Sequence, residues 1–153
     1  MRILLDNVIE RNAISCVCGA DVEQGMILKI DGLASPTYGA GECYSVSKSA
    51  DNTKDLFVVV AHDGHSYTSD EYAFADKATI KAGEPFRAYV LEGYQVITVE
   101  RAVCSAELSV GSYVGADTTG KWVATSSNDD ATGKVLAVTK LADKTAYQIL
   151  IVR

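Results

Sequence analysis

The stretch GKVLAVTKLADKTAYQILIVR, residues 133–153, decides the fold class of this chain. Two apolar runs, KVLAVTK (134–140) and AYQILIV (146–152), lie on either side of the polar turn ADKT (142–145). Both runs place apolar residues at alternating and at adjacent positions, so both faces of each strand carry apolar side chains. The sequence therefore predicts a β-hairpin that is central to the fold.

A recurring spacing of an apolar residue and a glycine occurs in three other stretches of the chain. Three stretches, DVEQGMILKI, TIKAGEPFRAYV and ELSVGSYVGA, place an apolar residue three positions before a glycine and continue as an extended run: Val22/Gly25, Ile80/Gly83 and Leu108/Gly111. Such a spacing indicates a tight turn that enters a strand, because glycine adopts a positive φ at little cost. We expect the apolar residue to pack beneath the turn. The three stretches predict equivalent corners of one β scaffold.

Seven further runs have the composition of strands: ISCVC (14–18), MILKI (26–30), CYSVS (43–47), LFVVVA (56–61), FRAYVL (86–91), YQVITVERAVC (94–104) and KWVAT (121–125). Turn signals separate them, among them Asp31-Gly32, Asp63-Gly64 and Glu92-Gly93. Helical periodicity is confined to residues 3–11 and 68–78. The predicted fold is mainly β, a compact barrel or sandwich with glycine corners and at most one or two short helices.

The stretch GADTTGKW, residues 115–122, matches the start of a phosphate-binding loop, with Gly, four residues, Gly and Lys. That motif also requires a Ser or Thr after the lysine and a helix that begins there. Here Trp122 follows Lys121, and the next residues, VATSS, favour an extended chain. We therefore predict a turn at Thr119-Gly120, with Lys121 solvated and Trp122 packed, and no nucleotide site.

Composition narrows the classes of function. The chain has 153 residues, a formal net charge of −6 and no cluster of Lys and Arg, which argues against a nucleic-acid partner. No apolar run approaches the roughly 20 residues that a membrane-spanning helix needs. The start, MRILLDNVIERNAISC, is a poor match to a secretory signal. We expect a protein that is made in a cytoplasm, with no membrane partner.

The sequence offers only weak candidates for a catalytic or metal-binding site. All four cysteines are expected to be buried free thiols. A zinc site that combines Cys16 and Cys18 with His62 and His65 stays open as an alternative, although Cys-x-Cys does not have the ligand spacing of structural zinc sites. No local signature of a catalytic nucleophile occurs. The sequence predicts no catalytic residue, no cofactor and no enzymatic activity.

Two parts of the chain resemble a known class of protein. CVCGADVEQGMILKIDG (16–32), and AELSVGSYVGADTTGKWVATSS (106–127) followed by GKVLAVTK and AYQILIVR, resemble small capsid decoration (cement) proteins of tailed bacteriophages. The resemblance covers residues 13–32 and 106–153. It implies a structural virion protein that binds the outer surface of an assembled capsid and stabilises the shell. The implied partners are the major capsid protein and further copies of the chain, with a trimer favoured, and the protein would be made in the host bacterial cytoplasm.

The resemblance also suggests a division of the chain. Residues 1–12 are expected to form an N-terminal arm, and residues 13–153 a single β domain with a possible inserted lobe or projection at about 33–78. The arm holds the candidate capsid contacts, which are apolar or basic: Arg2, Ile3, Leu4, Leu5, Val8, Ile9 and Arg11. An ordinary first strand of the chain's own sheet explains the arm equally well. The alternative function is a carbohydrate- or receptor-binding β module displayed on a virion.

Overall fold

Thirteen β-strands and one turn of 3-10 helix (Arg101–Val103) form the part of the chain that the computed structural model describes, which is residues 3–5, 13–34, 43–48, 55–63, 79–126 and 128–152. The strands are β1 (Ile3–Leu5), β2 (Ala13–Cys18), β3 (Val22–Glu23), β4 (Ile27–Leu33), β5 (Cys43–Ser47), β6 (Phe57–Asp63), β7 (Thr79–Ile80), β8 (Pro85–Val90), β9 (Val96–Glu100), β10 (Tyr113–Ala116), β11 (Trp122–Ala124), β12 (Gly133–Leu141) and β13 (Lys144–Ile151). The prediction of a mainly β fold is confirmed.

The strands form a closed barrel and a larger sheet. The barrel has five strands in the order β2-β5-β4-β6-β8, and it closes where β8 pairs with β2. The pairing of β2 with β5 is parallel, and the other barrel pairs are antiparallel. The six-stranded sheet has the order β1-β9-β13-β12-β10-β11, and a two-stranded sheet joins β3 to β7.

One wall of the barrel is buried on both faces. Val58 and Val60 of β6 point into the barrel, whereas Phe57 and Val59 pack in a second apolar cluster with residues of the six-stranded sheet. The side chains of β4 also point to both faces. Leu28 packs inside the barrel, and the preceding residue, Ile27, packs in the second cluster. Alternate side chains of a strand point to opposite faces. This double burial explains why LFVVVA reads as an unbroken apolar run.

The three predicted corners are confirmed. Gly25, Gly83 and Gly111 have φ values of +88°, +83° and +86°, and the apolar residue three positions before each of them is buried. In each corner a hydrogen bond closes the turn. The N–H of the residue after the glycine donates to the carbonyl of the residue two positions before the glycine. The glycine N–H donates to a neighbouring strand, at 2.8 Å in all three cases. The corners therefore attach the start of one strand to the edge of another.

A fourth corner has the same geometry without a glycine at the critical position. Leu91 is buried, Gln95 N donates to Glu92 O at 3.3 Å, and Tyr94 N donates to Ile151 O at 2.8 Å. Tyr94 has a φ of +69°, in the left-handed region that the glycines occupy in the other corners. The apolar-x-x-Gly spacing does not predict this corner, because tyrosine occupies the glycine position.

Each predicted strand run contains a strand, but YQVITVERAVC (94–104) continues beyond β9 as the 3-10 turn Arg101–Val103, and one predicted turn is wrong. Asp31-Gly32 lies inside β4, where the register with β5 shifts between Ile30 and Gly32. Glycine within a strand often marks such a bulge, because an irregular backbone without a side chain is tolerated there. In the segment 33–78, β5 and β6 are strands of the barrel, and the helix predicted at 68–78 lies outside the described residues.

The C-terminal hairpin is central, as predicted. Strand β13 pairs with β9 on one side and with β12 on the other, and Val135, Tyr147 and Ile149 are buried. A bulge at Leu136 changes the alternation along β12, and the far end of the hairpin is exposed. In the described ranges no helix has the length and apolar character to span a membrane.

We predict that Gly111→Ala lowers the free energy of unfolding by about 1–2 kcal/mol, because an alanine at positive φ is strained. A methyl group would meet no atom within 4 Å at Gly111, so the loss isolates the backbone effect. Gly19→Ala is the matched control, since Gly19 is equally open and does not have a positive φ. Urea denaturation of both variants measures the difference, and equal stabilities would contradict the strained-corner account.

Candidate functional site

The stretch that resembles a phosphate-binding loop is a turn organised by Asp117. Strands β10 and β11 pair antiparallel on either side of it. Asp117 Oδ1 accepts hydrogen bonds from Thr119 N at 2.7 Å, Thr119 Oγ1 at 2.8 Å and Lys121 N at 2.8 Å. Asp117 Oδ2 accepts one from the hydroxyl of Ser105. The amides that a phosphate loop would offer to a ligand therefore donate to the chain's own carboxylate.

Hydrogen bonding also sets the charge state of this carboxyl group. Burial raises the pKa of Asp117, but the hydrogen bonds from Ser105, Lys121 and Thr119 outweigh it and hold the pKa below its ordinary value. The turn predicted at Thr119-Gly120 is confirmed, with Gly120 at a φ of +81°. Lys121 is half-buried rather than fully solvated. The loop is a structural turn with an ionised carboxylate at its centre.

The same turn joins the six-stranded sheet to the barrel. Trp122 is fully buried, as predicted, and its Nε1 donates to Gly25 O at 3.0 Å. Ile27 N donates to Gly120 O at 2.9 Å. A Cβ at Gly120 would lie 3.2 Å from Leu28 Cδ2 and 3.4 Å from Ile27 O, so only glycine fits this approach without displacement. The turn is a junction between the two sheets.

The prediction of buried free thiols is confirmed for all four cysteines. Cys16 and Cys18 lie on β2 and belong to the barrel core. Burial, with smaller contributions from the nearby thiols of Cys43 and Cys18, raises the pKa of Cys16 to about 12. Burial likewise raises the pKa of Cys104 to about 12. Such thiols are neutral near pH 7, and the thiolate is the form that attacks substrates and binds metals.

His62 and the two cysteines of the zinc alternative lie on different strands of the barrel. His62 lies on β6 opposite Arg87 of β8, and Arg87 in turn lies opposite Ser15 of β2. Strand β8 therefore lies between His62 and the cysteine strand. His65 is outside the described residues. Over the described ranges no group of three or more His, Cys, Asp or Glu side chains is placed to hold a metal ion.

Glu100 is a buried acid that is not among the candidate residues predicted from the sequence. It lies at the end of β9 with 5% of its surface exposed. Its Oε1 is 3.5 Å from Lys144 Nζ, and its Oε2 has no hydrogen-bond partner. The pairing of Glu100 with Ala146 places this ion pair at the base of the exposed end of the hairpin. The sequence signal for a buried acid at this position is the largely apolar run VITVE (96–100), which ends in the glutamate.

The candidate capsid contacts are only partly described. Ile3, Leu4 and Leu5 form β1, which pairs antiparallel with β9, with Leu5 opposite Ile97. The sequence left open whether this segment pairs within the chain or with the capsid. In the structure, β1 pairs within the chain. Strand β1 is the edge strand of the six-stranded sheet. The other candidates lie outside the described residues: Arg2, Val8, Ile9 and Arg11.

Several large apolar side chains of the described residues are exposed. Leu136 and Val138 of the hairpin are 42% and 50% exposed, and Val110 and Tyr94 in two of the corners are 62% and 86% exposed. A shallow depression beside the barrel is lined by small or apolar side chains, among them Leu33. The described surface therefore offers apolar contact points rather than a set of converging polar groups.

The chain shares its fold with a phage protein. No protein-family model matches the sequence, and no curated protein matches it either. The structure is similar to the crystal structure of the N base of the head fiber gp8.5 of bacteriophage phi29, with a TM-score of 0.55. The two chains are 12% identical, and the match covers 91% of this chain and 92% of the other. The likeness at this identity establishes a common fold.

We predict that Asp117→Asn lowers stability at pH 7 by about 1–2 kcal/mol, because the charge-assisted hydrogen bonds of the turn are weakened. The pKa of Asp117 is below its ordinary 3.8 in the folded state, so its contribution is present above that value and is lost as the pH falls through the folded pKa. The wild type and the variant should therefore converge as the pH falls through the folded pKa of Asp117, which lies below 3.8. Urea midpoints measured across this range test the prediction.

The control for that experiment is Asp143→Asn. Asp143 lies in the exposed turn of the hairpin at a φ of +65°, a conformation that asparagine also tolerates. We expect no change in its urea midpoint. An Asp117→Asn variant as stable as the wild type at pH 7 would show that the carboxylate does not hold the turn.

Proposed function

We propose that this chain is a structural protein of a bacteriophage head that binds the outer surface of the assembled capsid and stabilises the shell. The observation that carries the proposal is the common fold with the head fiber base of bacteriophage phi29, over 91% of this chain. The resemblance of residues 13–32 and 106–153 to capsid decoration proteins supports it independently. A capsid-bound scaffold needs a packed core and exposed contact points, and the described residues include two buried apolar clusters and several exposed apolar side chains.

The N-terminal segment is the proposed clamp on the capsid. Strand β1 uses one edge to pair with β9, and no described strand pairs with its other edge. An unpaired edge offers backbone N–H and C=O groups to which a strand of a partner can add. Apolar residues at Ile3, Leu4, Leu5, Val8 and Ile9, with Arg2 and Arg11 for capsid acids, complete the proposed contact.

We further propose that the chain self-associates, with a trimer favoured, through the exposed end of the β12–β13 hairpin. Beyond Val135, no described strand pairs with the outer edge of β12. The exposed end carries Lys140 and Lys144 against a single aspartate, Asp143, with Lys144 also paired to Glu100, whereas the whole chain has a formal net charge of −6. A basic hairpin and an acidic body attract each other between copies. Several linked copies would add their modest capsid contacts through effective concentration.

Co-sedimentation tests the capsid proposal. We expect the purified protein to pellet with mature, expanded capsids of its own phage and to remain in the supernatant with free coat subunits. The reason is that the proposed site is shared by neighbouring subunits of the assembled shell. A glycan array is the parallel measurement for the alternative of a carbohydrate-binding module. Failure to pellet with mature capsids would refute the proposed function.

Substitutions in the hairpin test self-association. We expect Val138→Asp to convert the oligomer to a monomer in light scattering coupled to size-exclusion chromatography, because a charge replaces an apolar contact. Leu56→Asp is the matched control, since Leu56 is 68% exposed and lies outside the hairpin. An unchanged mass for a folded Val138→Asp variant would rule out the hairpin as the interface.

A further inference from the structure

We propose that two copies of the chain contact each other through an apolar patch at the outer edge of β12, with Glu107 of one copy beside Lys140 of the next. The patch consists of Val110, Leu136 and Val138. This contact rests on the proposed self-association and identifies the residues that orient one copy on the next. It adds the corner before β10 as the surface on which the hairpin of a second copy packs.

The topology brings the three apolar residues of the patch together. Val110, Leu136 and Val138 are 62%, 42% and 50% exposed. Strand β10 pairs antiparallel with β12, and just before it Gly111 N donates to Val135 O at 2.8 Å. Since Val110 precedes Gly111 and Leu136 follows Val135, both lie on the same side of this hydrogen bond. Val138 follows two residues later on β12, about 7 Å along the strand.

The shape of the patch suits a protein partner. Small-molecule sites are concave and enclose most of their ligand, whereas these three side chains project from a strand edge and a corner. None of the three lines the depression beside the barrel. Among the described strands none covers the edge of β12 beyond Val135. Contact with another protein would remove this apolar surface from water.

The charges beside the patch identify a second copy as the partner. Lys140 is exposed and follows Val138 by two residues, and Glu107 is exposed and precedes Val110 by three. Within the described ranges neither of the two charged side chains has an ion-pair partner. The corner half of the patch is therefore negative and the hairpin half positive. Because one chain supplies both halves of a complementary pair, a second copy of the same chain fits them.

These charges also set the orientation of the two copies. Pairing Glu107 with Lys140 of the next copy places the corner of one copy on the hairpin of the other, whereas corner on corner would bring like charges together. The other lysine at the hairpin end, Lys144, already lies 3.5 Å from Glu100 of its own chain. An apolar centre with a charged rim is typical of protein interfaces. A contact between two different surfaces can close into a ring, which includes the trimer favoured above.

Reversal and exchange of the two charges test the contact. Glu107→Lys and Lys140→Glu each place like charges across the interface, so we expect each to raise the Kd of self-association by about tenfold or more. The double variant exchanges the charges and should restore the wild-type Kd. Sedimentation velocity over a series of concentrations measures all four proteins. The two single variants shift the net charge in opposite directions from −6, so a change in net charge alone would not weaken both.

Each outcome decides the inference. Weakened association in both folded single variants, with recovery in the double variant, supports it. An unchanged Kd in either single variant, or a double variant no tighter than the single ones, overturns it and leaves the proposed self-association intact. Single variants that lose binding to mature capsids but associate as the wild type does also overturn it, in favour of a capsid contact. A wild type that is monomeric at every concentration refutes the proposed self-association, and the inference fails with it.

Discussion

The buried contact between Trp122 and the corner at Gly25 is the interaction on which the rest of the structure depends. The indole N–H donates to the Gly25 carbonyl at 3.0 Å, across a sequence separation of 97 residues, and Ile27 N bonds to Gly120 at 2.9 Å. These two bonds fix the entry of β4 into the barrel against the turn that leads into β11. Because β4 and β6 are buried on both faces, the barrel core and the second apolar cluster share one wall. Neither sheet can shift without exposing apolar surface to water.

The contacts that hold the fold together also occupy or neutralise several polar side chains that could otherwise react or bind a ligand. The carboxylate of Asp117 holds the amides of its turn, and the thiols of Cys16 and Cys104 are kept neutral by burial. What the described residues present to the outside are corners, a hairpin and an edge strand. Such features suit a protein whose role is to hold other proteins in place, which is the role we propose at the phage capsid.

Much of this fold could be predicted from the sequence, because its signals are local. A glycine three residues after a buried apolar residue specifies a corner whatever the surroundings are, and the three corners found in this way are correct. The corner at Tyr94 lacks that signal, since its geometry is imposed by Gln95 and by the pairing with Ile151. Asp31-Gly32 has the composition of a turn but becomes a bulge, because β5 pairs with both sides of it. The arrangement of barrel and sheet depends on contacts between distant residues, and a single sequence does not display these.

The central claim is that this rigid β scaffold binds the outside of an assembled phage head. Electron cryomicroscopy of mature capsids incubated with an excess of the protein tests it most directly. Our account predicts additional density on the outer surface that fits the barrel and the six-stranded sheet, with the β1 edge facing the shell. Capsids without additional density at saturating protein concentration would contradict the claim.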